Sequence, residues 1–109
     1  MSAIDTFRAA PFRHNCAQAV ANQWRHLYSS SDIVADYQPY VAGGAPGGLC
    51  GALYAATQAV PEHAEEIAGE FEAQAGSCKC REIKTITKFP CQQCVILADK
   101  RVGKYSSRK

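Results

Sequence analysis

Six cysteines are the residues in this 109-residue chain best able to do chemistry. Cys16, Cys50 and Cys91 each stand at the predicted start of a helix, while Cys78 and Cys80 form a CxC in a glycine-containing turn. A helix N-terminus carries roughly half a positive charge and unpaired N–H groups, so it stabilises a thiolate and lowers a cysteine pKa from about 8.5. A cysteine that merely fills a core could lie anywhere along a helix. The placement therefore points to an anionic sulfur site with metal, cluster or redox chemistry. Buried small hydrophobes or structural disulfides are the bland alternative.

Four thiolates brought to one place would gather about four negative charges, which a cation or cluster must neutralise unless the thiols oxidise in pairs. Iron–sulfur clusters accept four cysteine ligands, and the glycines before Cys50 suit backbone N–H groups aimed at sulfur. Zinc would take the same four sulfurs in a closed tetrahedral site. A local alternative uses the C-terminal third alone. Cys78-Lys79-Cys80 and Cys91-Gln92-Gln93-Cys94 make a CxC…CxxC array that would hold zinc or a cluster without Cys16 or Cys50. Cys91-Gln-Gln-Cys94 by itself has the form of a thioredoxin-type couple, but no βαβ pattern surrounds it.

Other residues carry less. His14, two residues before Cys16, is read as a surface histidine ahead of a helix rather than a ligand or proton partner, and His26 and His63 as solvated. Lys79 and Arg81 flank Cys80, where they would favour a thiolate or a reduced cluster, or simply sit in a solvated loop. Trp24, Tyr28, Tyr54 and Phe71 are read as core. Gly43-Gly-Ala-Pro-Gly-Gly48 lacks the Walker lysine and follows no strand, so it is not a phosphate loop.

The elements that must position the cysteines read as helices joined by short loops. The first helix is predicted from about Asn15, a good N-cap, to Tyr28, with Ala19, Val20, Trp24 and Leu27 at helical spacing. Asp32 caps a short second helix through Ile33, Val34 and Tyr37, limited by Pro39. The third begins near Cys50, where small residues at 51, 52, 55 and 56 allow close approach of another helix. Pro61 ends it, and Glu62, Glu65 and Glu66 load the start of the fourth with acid. The fourth buries Ala64, Ile67, Ala68, Phe71 and Ala75 and closes at Gly76. REIKTITKF (81–89) is rich in β-branched residues and compatible with helix or strand. Pro90 precedes the last helix, with Cys91, Cys94, Val95 and Ala98. The sum is an all-α, single-domain bundle of four to five helices with a cysteine site at one end.

Composition narrows the class. One domain spans 1–109, with a core of about 14–102 and a basic, frayed tail at 103–109. No apolar run approaches the roughly 20 residues that cross a bilayer. MSAIDTFRAAPFRHN is not laid out as a secretion signal. A cytoplasmic setting is expected, where cysteine clusters bind metal or do redox work more often than they form structural disulfides. Lys100, Arg101, Lys104, Arg108 and Lys109 supply five of the 12 basic residues, so the body, with seven against ten acids, is slightly acidic. The basic end is read as solubilising, and nucleic acid is not the expected partner.

Asn15-Cys16-Ala17-Gln18-Ala19-Val20, Gly47-Gly48-Leu49-Cys50-Gly51-Ala52-Leu53-Tyr54-Ala55, Cys80-Arg81-Glu82-Ile83 and Cys91 with Val95 and Ala98 occur in that order. This sequence resembles a redox-active family defined by a C-GCAxxG-C-C cysteine pattern, over about His14 to Val102. Ala55 stands where that pattern ends in glycine. The resemblance extends to a module of split-Soret cytochromes associated with an iron–sulfur cluster. Covalent haem c is excluded here because Val95, not histidine, follows Cys94. The resemblance implies Cys16, Cys50, Cys80 and Cys91 as the ligands of an iron–sulfur cluster, with Cys78 and Cys94 additional. The expectation is a small electron-transfer protein rather than an enzyme, with a redox protein as partner and a homodimer left open. The alternatives are a thiol–disulfide or sulfur-handling protein without metal, with Cys78, Cys80, Cys91 and Cys94 as the cycling set, and a zinc-stapled interaction module.

Overall fold

Helix α1 (Cys16–Gln23) begins at a reciprocal cap. The Gln18 amide donates to the Asn15 side chain at 2.8 Å, and the Asn15 amide donates to the Gln18 side chain at 2.9 Å. Two otherwise unpaired backbone donors are satisfied in this way. The computed structural model describes residues 4, 7, 14–28, 33–40, 44 and 46–106. The predicted first helix is two pieces: α1 ends at Gln23, and a tight 3₁₀ turn, Arg25–Leu27, follows. Trp24 stands at the junction, where its indole N–H donates to Asp99 at 2.6 Å. That bond fixes the end of α1 to the last helix.

Helix α2 (Ile33–Asp36) is short, and its expected cap, Asp32, lies outside the described residues. A tight turn, Pro46–Gly48, leads to α3 (Gly51–Ala59), and Pro61–His63 forms a 3₁₀ step into α4 (Ala64–Ala75). Gly76 ends α4 at φ 88°, and a Cβ there would collide with the Thr87 side chain. Only glycine fits such a left-handed, crowded terminus. The segment left open between helix and strand is helical: α5 (Cys80–Glu82) runs into a π-helical turn, Ile83–Thr87. Helix α6 (Cys91–Ser106) closes the chain.

Among the described residues there is no strand, only isolated bridges pairing Phe7 with His14 and Leu49 with Lys79. The fold is an all-α bundle. Helices α1, α3 and α6 pack on one another, α4 covers α3 and α6, and α2 lies against α1. Ala17, Ala19, Ala52, Ala55, Ala56 and Ala98 are fully buried where α1, α3 and α6 meet. Side chains this small let the helices approach closely, as the residues at 51, 52, 55 and 56 predicted. Leu53, Ile67, Phe71, Val95 and Val102 supply the larger buried surface, at about 1.5–3 kcal/mol for each such side chain. The radius of gyration, 12.3 Å, matches one domain of this length. Among the described residues no helix is long and apolar enough to cross a membrane.

The C-terminal basic residues correct the expectation of a frayed tail. Lys100, Arg101 and Lys104 belong to α6, which stays helical to Ser106, while Arg108 and Lys109 lie outside the described residues. Glu70 on α4 receives the Arg101 guanidinium, the Tyr105 hydroxyl and Lys104, the last at 3.1 Å. Ring stacking of His63 on Tyr105, with centroids 4.7 Å apart, extends this clasp between α4 and α6.

Candidate thiol site

Three helix starts deliver four sulfurs to one buried region. Cys16 opens α1, Cys50 is the residue just before α3, Cys91 opens α6, and Cys94 lies one turn further along it. Gly51 makes the approach of α1 and α3 possible. A Cβ there would collide with the Tyr40 carbonyl oxygen and lie 2.9 Å from Cys16 Sγ and 3.2 Å from Ala17 Cβ. The absence of a side chain at 51 is what brings the Cys16 sulfur alongside the start of α3. On the other side, the Asn15 side-chain amide donates to the Gln38 carbonyl at 2.9 Å and anchors the start of α1.

Cys16 is hydrogen-bonded to Cys50 and Cys91, and Cys50 to Cys16 and Cys94. Contact with Cys50 opposes ionisation of Cys16 and contact with Cys91 favours it, while contact with Cys16 favours ionisation of Cys50 and contact with Cys94 opposes it. The site is a file of four thiols in contact, Cys91–Cys16–Cys50–Cys94, running inward from the surface. Cys91 is half-buried, whereas Cys16, Cys50 and Cys94 are 5%, 4% and 2% exposed.

The thiolates expected at helix N-termini are not what the site holds. Hydrogen bonding with Cys50 raises the Cys16 pKa, contact with Cys91 opposes this, burial adds to the rise, and the thiol is pushed up to about 11. For Cys50 the contact with Cys16 lowers the pKa, but bonding to Cys94 and burial outweigh it, to about 12. The Ala52 and Leu53 amides at the start of α3 favour the two thiolates, Ala52 at Cys16 and Leu53 at Cys50. Their pull is insufficient, and Cys50 makes no completed capping bond. Neighbouring thiols and burial together defeat the helix dipole. At neutral pH both thiols are protonated.

The other two cysteines stand in a different setting. The Cys50 amide donates to the Cys78 carbonyl at 2.8 Å, so the CxC segment touches the site through its backbone. The Cys78 thiol instead turns to the Ala68 carbonyl on α4, at 3.5 Å, and burial raises its pKa. Cys80 is half-buried at the start of the three-residue α5. Neither is among the groups that shift Cys16 or Cys50. Of the residues implied by the resemblance, the structure thus groups Cys16, Cys50 and Cys91, and adds Cys94 rather than Cys80.

His14 is not the surface residue expected. It is 6% exposed, and burial, then the Arg25 charge, lowers its pKa, so the imidazole is neutral. His26 is exposed, and Lys79 and Arg81 are solvated as one of the two readings had it. A tyrosine group that the sequence reading missed lines the approach to Gly51. Tyr40 meets Tyr37 and Tyr54 edge-on, with centroids 5.4 and 5.0 Å away, and Tyr28 meets Tyr37 at 5.5 Å. The Tyr28 hydroxyl donates to the Ala55 carbonyl at 2.6 Å, tying this aromatic group to α3. The Tyr37-x-x-Tyr40 spacing was the available signal.

Among the described residues no three His, Cys, Asp or Glu side chains are grouped so as to hold a metal ion. None of the six cysteines is in a disulfide. Comparison with protein families, characterised proteins and solved structures returns no match to this chain.

Proposed function

We propose that the protein is a small thiol–disulfide redox protein that stores electron pairs on Cys91, Cys16, Cys50 and Cys94. The observation that carries this reading is the file of contacting thiols. A file of four divides into two neighbouring pairs in only one way that strands no thiol: Cys16 with Cys91, and Cys50 with Cys94. Each pair, on oxidation, forms one S–S bond and gives up two protons and two electrons. A partner disulfide accepts them and becomes two thiols. The expected cycling set of Cys78, Cys80, Cys91 and Cys94 gives way here to the four in contact. A reducing setting would return these cysteines to thiols between cycles.

Burial shapes the chemistry. Thiols held in the protonated form at neutral pH are poor nucleophiles, so the file reacts slowly unless a reagent reaches its outer end. Stepwise treatment of metal-free protein with diamide, followed by alkylation and intact-mass measurement, tests the reading. Alkylatable thiols should fall from six to four to two and return with dithiothreitol. A count that stays at six would remove it.

A second reading, an iron–sulfur cluster serving electron transfer, is favoured by the convergence of three helix starts and by the Ala52 amide facing Cys16. The sulfurs would have to spread from their present contacts to accept it. Anaerobic purification giving brown protein with matched iron and sulfide would establish that reading. Colourless protein with one zinc would favour a metal-stapled module.

A further inference from the structure

The four thiols differ sharply in access, and the difference has a direction. Cys91 alone is half-buried. Cys16, next in line, is enclosed by α3 at Gly51, and Cys50 and Cys94 lie between α3 and α6. Pro90, Gln92 and Gln93 around Cys91 are exposed, and the first turn of α6 contains no acidic residue. An external disulfide bulkier than a few atoms can therefore meet only one sulfur of the file.

We propose that Cys91 is the one sulfur of the file that reacts with external disulfides, and that exchange along the file carries the disulfide bond inward to Cys50–Cys94. This rests on the thiol–disulfide reading above and adds its route and its substrate class, low-molecular-weight or peptide disulfides. The Cys91 sulfur attacks an external disulfide, forms a mixed disulfide and expels one external thiol. Cys16 attacks the Cys91 sulfur, forms Cys16–Cys91 and expels the second external thiol. Cys50 then attacks Cys16 and frees Cys91. Finally Cys94 attacks Cys50 and frees Cys16, with a proton passed to each departing sulfur. One external disulfide has been reduced to two thiols, and one internal disulfide has been formed. Cys16 and Cys91 are again reduced and can accept a second equivalent.

One equivalent of glutathione disulfide, followed by alkylation and peptide mapping, tests the route. Wild-type protein should carry a Cys50–Cys94 bond and no glutathione on Cys91. Cys16→Ala, which keeps a small apolar side chain in the buried position, should stall with glutathione on Cys91 and no internal bond. Cys91→Ser, altered only at the half-exposed position, should form Cys50–Cys94 about tenfold or more slowly with glutathione disulfide, yet still form it with the much smaller oxidant hydrogen peroxide. The proposal is overturned if Cys91→Ser forms Cys50–Cys94 with glutathione disulfide at the wild-type rate. It is equally overturned if Cys16→Ala forms Cys50–Cys94 or Cys91–Cys94 with that reagent. In both cases internal disulfides still form, so the thiol–disulfide reading survives. If wild-type protein loses no thiols to either reagent, that reading falls and the route with it.

Discussion

At the scale of single residues, proton affinity links the site to stability. Unfolded thiols ionise near pH 8.5, whereas Cys16 and Cys50 in the fold hold their protons to about 11 and 12. Both pKa values are raised by folding. The stabilisation is therefore complete below the unfolded pKa and is lost as pH rises, because the unfolded chain sheds protons first. Between pH 8.5 and 10, unfolding free energy should fall by up to about 1.4 kcal/mol per pH unit for each of these thiols. Urea melts across that range should show the slope, and Cys50→Ala should be flatter; an unchanged slope would contradict the assignment. Glu70 behaves oppositely. The Tyr105 hydroxyl, then Arg101 and Lys104, hold its carboxyl down to about 2 against partial burial. Its stabilisation is present above the unfolded carboxylate pKa and is lost as pH falls from about 4 towards 2. Glu70→Gln should cost about 0.5–1 kcal/mol at neutral pH and make acid melts less steep, since the pairs are partly exposed.

At the scale of elements, Gly51 decides whether α1 and α3 can meet. Gly51→Ala must push its new methyl against the Tyr40 carbonyl and the Cys16 sulfur. It should destabilise the fold by about 1–3 kcal/mol and slow formation of Cys50–Cys94 from glutathione disulfide, because the inward exchange passes through the Cys16–Cys50 contact, which widens. A variant as stable as wild type would contradict the close approach. The value of small residues at 51, 52, 55 and 56 was legible in the sequence, as were Asn15 capping α1 and Gly76 ending α4, since caps and small-residue faces are local signals. The split of the first helix at Trp24 was not legible, because it depends on Asp99, 75 residues away. The length of α6 was hidden for the same reason. Charges read as a loose end are held by Glu70 on another helix.

At the scale of the whole molecule, all-α architecture followed from periodicity and punctuation, while the state of the sulfurs did not. Helix N-termini argued for thiolates, but the packing of α1, α3 and α6 buries Cys16 and Cys50 so deeply that desolvation and neighbouring thiols prevail. Which cysteines meet is likewise a property of the bundle. Cys94 joins the group because one helical turn on α6 carries it inward behind Cys91, and Cys78 leaves it because its thiol faces Ala68 on α4. The central claim, a file paired by its contacts, is tested most directly by exhaustive diamide oxidation of metal-free protein, alkylation and peptide mapping of the disulfides. The account predicts two bonds, Cys16–Cys91 and Cys50–Cys94, with Cys78 and Cys80 recovered as alkylated thiols. A Cys78–Cys80 or Cys91–Cys94 bond in their place would contradict it.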